Sequence, residues 1–292
     1  MEQVTIRVPA TSANIGPGFD TLGIAFTLYN TVSVKRADTF GIFGCPAAYA
    51  NEDNLAYVAF CAACREAGRE VPTVQITITT EVPVSRGLGS SATLLVGGAT
   101  AANILCDLGL SREDILRIVN RIEGHPDNVA AAIYGGMTAA LQEDGDPIAL
   151  PCALSPSLSF CALVPDCACE TGASRRVLPT DVKRKDAVFN VTHTAVLLGA
   201  LAAGNTAVIS RALDDRLHQP YRKALIPHYD AVREAALAEG AHAFFISGSG
   251  STCMAIYTDP TFPARMAPYL EGLCCSWRIL PLSVDFDGAR PV

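Results

Sequence analysis

Three observations make an α+β fold the prediction from this sequence. Apolar and polar residues alternate through Val4, Ile6 and Val8, and again through Val74, Ile76 and Ile78, the period of half-buried strands. Apolar runs rich in small residues follow, with the length of packed helices. Strands and helices do not alternate one for one, which argues against a doubly wound sheet.

The first strand is expected to end at Pro9. It leads into Thr11-Ser12-Ala13-Asn14-Ile15-Gly16-Pro17-Gly18-Phe19-Asp20, a loop dense in turn-forming residues. A second strand is expected over 28–34 and a helix over 54–67. The strand through Ile78 runs into Pro83-Val84-Ser85-Arg86-Gly87-Leu88-Gly89-Ser90-Ser91-Ala92, and 92–108 reads as a buried helix. Ser111, with Asp114 three residues on, caps a helix over 113–123. Gly124-His125-Pro126-Asp127-Asn128 breaks that helix, and 128–134 starts another. Proline and serine cluster over 151–157, which sets the expected domains at 1–155 and 156–292. Beyond that point 158–164, 243–246 and 253–257 read as strands, and 186–203 and 229–239 as helices. Ser247-Gly248-Ser249-Gly250-Ser251 is a second glycine-serine turn.

The segment from Pro83 to Ala92 is the most informative. It is a strand-to-helix turn in which Gly87 and Gly89 let backbone N–H groups approach an anion, while Ser90 and Ser91 add hydroxyls. Free amides and the positive dipole end of the helix favour phosphate. A dinucleotide fingerprint needs an acidic residue at the end of a second strand, but Asp107 stands at the end of the helix instead. The Walker pattern fails, because Gly-Lys-Ser/Thr is absent. A phosphate loop of neither type is the reading that remains.

At 292 residues, half of them apolar, the chain can bury a large core. No uninterrupted apolar stretch reaches bilayer length, and Met-Glu-Gln-Val-Thr-Ile-Arg enters a strand pattern with no signal-peptide core. A soluble cytoplasmic protein without membrane contact is expected. A formal charge of −7 and the lack of a basic run argue against nucleic acid. The eleven cysteines read as reduced small hydrophobes. Cys161, Cys167 and Cys169 flank a strand end, yet no histidine pair at zinc-ligand spacing joins them.

Together the 14–20 loop, the 83–92 turn and the 246–251 turn resemble the GHMP kinases, whose ATP-binding pattern Pro-x-x-x-Gly-Leu-Gly-Ser-Ser-Ala is matched at every defined place. The resemblance spans essentially the whole chain. Four segments are similar to the homoserine kinase branch: Ser-Ala-Asn-Ile-Gly-Pro-Gly-Phe-Asp, Glu-Gly-His-Pro-Asp-Asn-Val, Glu-Thr-Gly-Ala-Ser-Arg-Arg-Val-Leu-Pro and Gln-Pro-Tyr-Arg. It implies an N-terminal domain like ribosomal protein S5 domain 2, a ferredoxin-like C-terminal domain and an active site in the cleft between them. The implied reaction is ATP plus L-homoserine giving ADP and O-phospho-L-homoserine, and family members are often homodimers.

The resemblance also implies residue roles. Pro83 to Thr93, Asn54, Gly248, Ser249 and Gly250 would bind ATP, and Ser91 and Glu123 would meet Mg²⁺, an oxygen-preferring ion. Asn14 and Asp20 would hold the amino end of the substrate, with Arg175 and Arg222 on its carboxylate; Arg176 competes with Arg175 for that role. His125, Asp127, Asn128 and Thr171 would surround the reacting hydroxyl, positioning and polarising it, with no general base assigned. His193 stands where arginine would be expected and reads as packed or surface. Three readings compete: a mevalonate-type kinase, a non-catalytic ATP-binding protein of the same fold, and a nicotinamide-dependent oxidoreductase.

Overall fold

The computed structural model describes residues 1–169 and 171–292, except for the side chain of Thr171. The elements run β1 (Gln3–Ala13), β2 (Leu22–Arg36), β3 (Gly41–Phe43), α1 (Leu55–Glu66), β4 (Val74–Thr80), α2 (Ser90–Leu105), α3 (Arg112–Glu123), α4 (Pro126–Tyr134), β5 (Met137–Glu143) and β6 (Asp146–Cys152). There follow β7 (Ser159–Pro165), α5 (Thr171–Arg176), α6 (Arg184–Ala203), α7 (Thr206–Ala212), α8 (Gln219–Arg222), α9 (Tyr229–Ala238), β8 (Ala243–Ile246), β9 (Cys253–Tyr257), α10 (Phe262–Glu271), β10 (Trp277–Leu282) and β11 (Arg290–Pro291).

Two sheets carry these elements. The first has the order β11-β1-β2-β4-β3, and the β5–β6 hairpin joins it along the start of β2. The second has the order β10-β7-β9-β8. Its strands occur along the chain as β7, β8, β9, β10 with helices before β8 and before β10, the ferredoxin-like arrangement. The chain end returns to the first sheet, where Ile6 faces Pro291.

Three buried clusters bind the layers. Val4, Ile6, Val8, Val32 and Val34 pack the first sheet onto α1, α2, α3 and α4. Leu22, Ile24, Phe26 and Met137 meet Phe160, Leu197 and Phe245 of the C-terminal half. Tyr229, Phe262, Met266 and Trp277 close the outer face of the second sheet.

Pro9 does not end β1. The strand runs on to Ala13 because its pairing with β2 shifts register between Pro9 and Ala10, an irregularity that accommodates a residue with no N–H to give. Val8 on one side of the shift belongs to the helical core and Ala10 on the other to the inter-sheet core. The second strand likewise starts at Leu22, earlier than expected, and α2 ends at Leu105. Ser111 caps α3 with a full capping box to Asp114, as its spacing indicates.

Helix α6 is the one helix among the described residues long and apolar enough, by length and composition, to cross a membrane. Its polar side chains tie it to the folded body instead. Asn190 Nδ2 donates to Pro17 O at 3.1 Å and to Asp215 Oδ1 at 2.7 Å, and Thr194 Oγ1 donates to Pro17 O at 3.0 Å.

Candidate active site

The three glycine-rich segments meet at one cleft of about 530 Å³. They are stitched together at backbone level. Thr11 N–H donates to Leu88 O at 3.1 Å, Gly248 N–H to Ala13 O at 3.0 Å, and Thr252 N–H to Arg86 O at 3.0 Å. Two glycines are needed for this approach. A Cβ on Gly87, at φ +78°, would stand 2.3 Å from Ser247 O; one on Gly89, at φ +69°, would stand 2.0 Å from Thr11 Oγ1. Gly89 is also the N-cap of α2, so its left-handed turn presents the free amides of that helix to the cleft.

Asn30 underpins the phosphate loop, a role the sequence did not signal. Its buried Oδ1 accepts from Glu81 and Val82 N–H at 3.0 Å each, while Nδ2 donates to Thr93 Oγ1 at 2.7 Å. Thr93 therefore supports the turn from behind. Val84, Ser85, Arg86, Gly87, Gly89, Ser90 and Ser91 line the cleft. Pro83, Leu88, Ala92 and Gly250 are not among the lining residues; Leu88 and Ala92 are fully buried, and Gly250 backs onto Ile226 and Ile246.

A hydroxyl–carboxylate pair stands at the mouth of the loop. Ser91 Oγ donates to Glu123 Oε2 at 2.6 Å, with Ser91 in the first turn of α2 and Glu123 in the last of α3. Beside it, His125 is the N-cap residue of α4, and its Nδ1 lies 3.0 Å from Asp127 Oδ1. The same oxygen accepts from Asn128 N–H at 2.7 Å, and Asn128 Oδ1 accepts from Thr11 Oγ1 at 2.7 Å. Burial alone would push the His125 imidazole down. The hydrogen bond and charge of Asp127, with Glu123 beyond, outweigh it and raise it.

Opposite this cluster lie the charged residues of the 14–20 loop and the C-terminal half. Asn14 Nδ2 donates to Gly248 O at 2.8 Å and its Oδ1 accepts from Asp20 N–H at 2.9 Å. Asp20 and Arg175 form a two-pronged ion pair at 2.7 and 3.1 Å, each about one-third exposed to the cleft. Arg222 is only 2% exposed. Its guanidinium donates to Gly248 O at 2.9 Å and Ser174 O at 3.3 Å, and Nη1 lies 3.4 Å from His218 Nδ1. Among the described residues it makes no salt bridge. Arg175 lines the cleft, whereas the neighbouring Arg176 is exposed and does not. Thr171 opens α5, but its side chain lies outside the described residues.

Sequence reading missed two aromatic rings here. Phe19 carries Arg222 and Arg175 over its face, at 5.1 and 5.7 Å, and stacks on His218 with centroids 5.2 Å apart. His218 is fully buried, and its Nε2 lies 2.8 Å from Gly16 O. That contact makes Nε2 the protonated nitrogen and leaves Nδ1 to accept from Arg222. These partners are 202 residues apart in the chain, so no local spacing could reveal them. His193, by contrast, stacks on Phe189 at 3.6 Å and stays away from the cleft.

At the far end, Cys45, Pro46, Tyr49, Leu55, Ile78, Thr80 and Leu94 form a mainly apolar slot. Three of the seven, Cys45, Pro46 and Tyr49, come from the 44–50 segment, and the rest from α1, β4 and α2. Asn54 lines the slot while capping α1, its Oδ1 accepting from Ala56 N–H at 3.0 Å.

Two outcomes follow from this geometry. Gly89→Val should raise the ATP KM at least about tenfold, because the new side chain collides with Thr11 and displaces the turn. An unchanged ATP KM in a folded variant would put the nucleotide elsewhere. Burial depresses the His218 imidazole, with the Arg222 charge adding to this and Asp215 opposing it. His218 is thus neutral in the fold, and below about pH 6.5 the unfolded chain binds a proton the fold does not. Its contribution is full above that pH and is lost as pH falls, at up to about 1.4 kcal/mol per unit. Wild type should therefore lose more Tm between pH 7 and 5 than His218→Gln; parallel curves would contradict this.

The chain matches the N-terminal domain of the GHMP kinases over residues 54–136 and their C-terminal domain over 197–270. It belongs to the GHMP kinases. It is 40% identical to a homoserine kinase of Clostridium botulinum (strain Langeland) over 285 residues, 97% of this chain and 96% of that one. Identity to a homoserine kinase of Desulfitobacterium hafniense is also 40%, over 99% of this chain and all of the relative. The crystal structure of homoserine kinase from Cytophaga hutchinsonii superposes with a TM-score of 0.90 at 26% identity, covering 100% of this chain and 98% of that one. The fold is thus the two-domain GHMP kinase fold, and the protein is a kinase.

Proposed function

We propose that this protein transfers the γ-phosphoryl group of ATP to the hydroxyl of L-homoserine, giving ADP and O-phospho-L-homoserine on the way to threonine. The observation that carries the choice of acceptor is Arg222, a buried cation whose hydrogen-bond partners among the described residues include no carboxylate. Leaving a charge so placed is costly unless an anion arrives to meet it. Asp20 and Arg175 add a carboxylate and a second guanidinium on the same wall. A zwitterionic amino acid satisfies all three: its carboxylate meets Arg222 and Arg175, its ammonium meets Asp20 and Asn14. Mevalonate lacks the ammonium.

On the nucleotide side, the α2 N-terminus and the Gly87–Ser91 amides take the phosphates, Gly248 and Ser249 close over them, and the apolar slot takes the adenine. Ser91 and Glu123 fit Mg²⁺: both offer hard oxygens, and their oxygens already lie 2.6 Å apart. No cluster of three or more acidic, cysteine or histidine ligands exists among the described residues, so phosphate oxygens and water would complete its shell. When bound, the ion neutralises phosphate charge.

His125, Asp127 and Asn128 hold the acceptor hydroxyl in line, with Thr171 assigned to the same role. The Asp127 carboxylate fixes the His125 ring and the Asn128 amide, so hydroxyl orientation is set before substrate enters. Phosphoryl transfer depends mainly on such alignment and on charge neutralisation, and no general base is assigned. We also propose a cytoplasmic homodimer; α6 exposes Val188, Val191 and Val196, an apolar strip suited to pairing. Phosphorus NMR of a reaction with ATP, Mg²⁺ and L-homoserine tests the proposal. A new phosphomonoester signal matching O-phospho-L-homoserine is expected; orthophosphate alone would refute it.

A further inference from the structure

The β7–β10 ladder carries a chemical feature unrelated to phosphoryl transfer. Pro165 faces Trp277, and Asp166 N–H donates to Ser276 O at 2.7 Å, which makes 166 and 276 a hydrogen-bonded pair. The next residues outward are Cys167 and Cys275, just past the ends of β7 and β10, and their thiols are close enough to interact. A disulfide spans Cα separations of about 4.4–6.8 Å, which side-by-side chain segments with interacting thiols can meet. Both are half-buried rather than sealed in the core.

The structure assigns Cys167 and Cys275 as a redox modification site, closed to a disulfide by a small-molecule disulfide of the glutathione class and reopened by thiols. The exchange balances in two steps. One thiolate attacks a sulfur of the oxidant, forming a mixed disulfide and expelling one small thiolate. The second protein thiolate then attacks the mixed disulfide at the protein sulfur, forming the Cys167–Cys275 bond and expelling the other small thiolate. Two protein thiols are oxidised, one small disulfide is reduced, and the two protons the protein thiols lose end on the two small thiols released.

The surroundings favour this pairing over its rivals. Burial raises the Cys167 thiol, and contact with the Cys275 thiol adds to it, so little thiolate is present and the exchange is slow. Cys253 is fully buried with its thiol held well above the ordinary range, which removes it as a partner. Cys274 is exposed with its Sγ 2.9 Å from His228 Nε2, but it points to α9 rather than to β7. The bond would also act close to the catalytic cleft. Cys167 O accepts from Ser251 Oγ, and Cys169 N–H donates to Ser85 O at 2.9 Å, so the strand end braces both glycine-rich turns.

The full-length protein, equilibrated in glutathione buffers from fully reduced to fully oxidised, then alkylated and peptide-mapped, tests this. The crosslinked peptide 167–275 should appear through a single two-electron transition and vanish with dithiothreitol. Thiols counted after denaturation should fall from eleven to nine. Cys274→Ser should crosslink like wild type, while Cys167→Ser and Cys275→Ser should not. Mapping of the wild type carries the test if either of those variants fails to fold. Absence of the 167–275 peptide at every poise, or a crosslink to Cys253 or Cys274 instead, would overturn the assignment.

Discussion

Arg222→Ala will lower kcat/KM for L-homoserine by roughly 30-fold to several thousand-fold, the equivalent of about 2–5 kcal/mol for removing one partner of a desolvated charge pair. The fall should appear mainly in the homoserine KM, with the ATP KM almost unchanged. Arg175→Ala should fall at the low end of that range. Its side chain is 39% exposed, and removing it also leaves Asp20 unopposed at the cleft wall. Arg176→Ala is the internal control and should cost little, because Arg176 does not line the cleft. The carboxyl-amide of homoserine separates the charge from the rest of the contact. Wild type should strongly prefer the acid, and each cleft arginine variant should lose much of that preference. Loss of discrimination in Arg176→Ala alone would show that the wrong arginine of the pair has been assigned.

Glu123→Gln keeps the size and removes the charge of the carboxylate facing Ser91. Turnover should drop on the order of 100-fold, and raising Mg²⁺ should restore part of it, because a neutral amide is a weaker ligand for a hard cation. The variant also keeps a partner for the Ser91 hydroxyl, so loss of fold does not account for loss of rate. Measuring kcat across a Mg²⁺ series decides the matter. A variant whose rate does not respond to Mg²⁺ would assign the ion to another ligand, with Asp127 next in line.

What could be read in the sequence was what depends on backbone rather than on distance. The 83–92 turn, the 14–20 loop and the 247–251 turn all stand out because glycine, proline and serine crowd together where the chain must expose amides. The longer strands and helices before residue 135 followed from period and caps, Ser111–Asp114 above all, whereas α7, α10 and β10 of the C-terminal half went unread. The β5–β6 hairpin was missed although its signal was present. Asp144 and Gly145 both take positive φ between Glu143 and Asp146, the two-residue Asp-Gly turn of a tight hairpin. Pro9 misled because a lone proline also fits a strand where the ladder shifts register.

The rest was out of reach for physical reasons. Phe19 belongs to a recognisable loop, yet its role as the floor beneath Arg175, Arg222 and His218 exists only after elements some 150–200 residues away fold over it. Asn30 lies in a strand whose alternation says only that it is half-buried, and its clamp on Val82 and Thr93 is a tertiary fact. The apolar slot joins Cys45, Pro46 and Tyr49 of an aperiodic segment to residues of α1, β4 and α2, a juxtaposition only the fold makes. The ion pair between Asp20 and Arg175 adds a further point: two residues expected to face substrate separately also face each other.

The most direct measurement of the central claim is coupled ADP release by the purified protein, with L-homoserine, D-homoserine, L-threonine, mevalonate and galactose offered in parallel. A zwitterion-reading site should favour L-homoserine over mevalonate and galactose by at least about 100-fold in kcat/KM, because buried charges left unpaired reject a substrate strongly. Mevalonate as the preferred acceptor, or ADP release that ignores homoserine altogether, would contradict it.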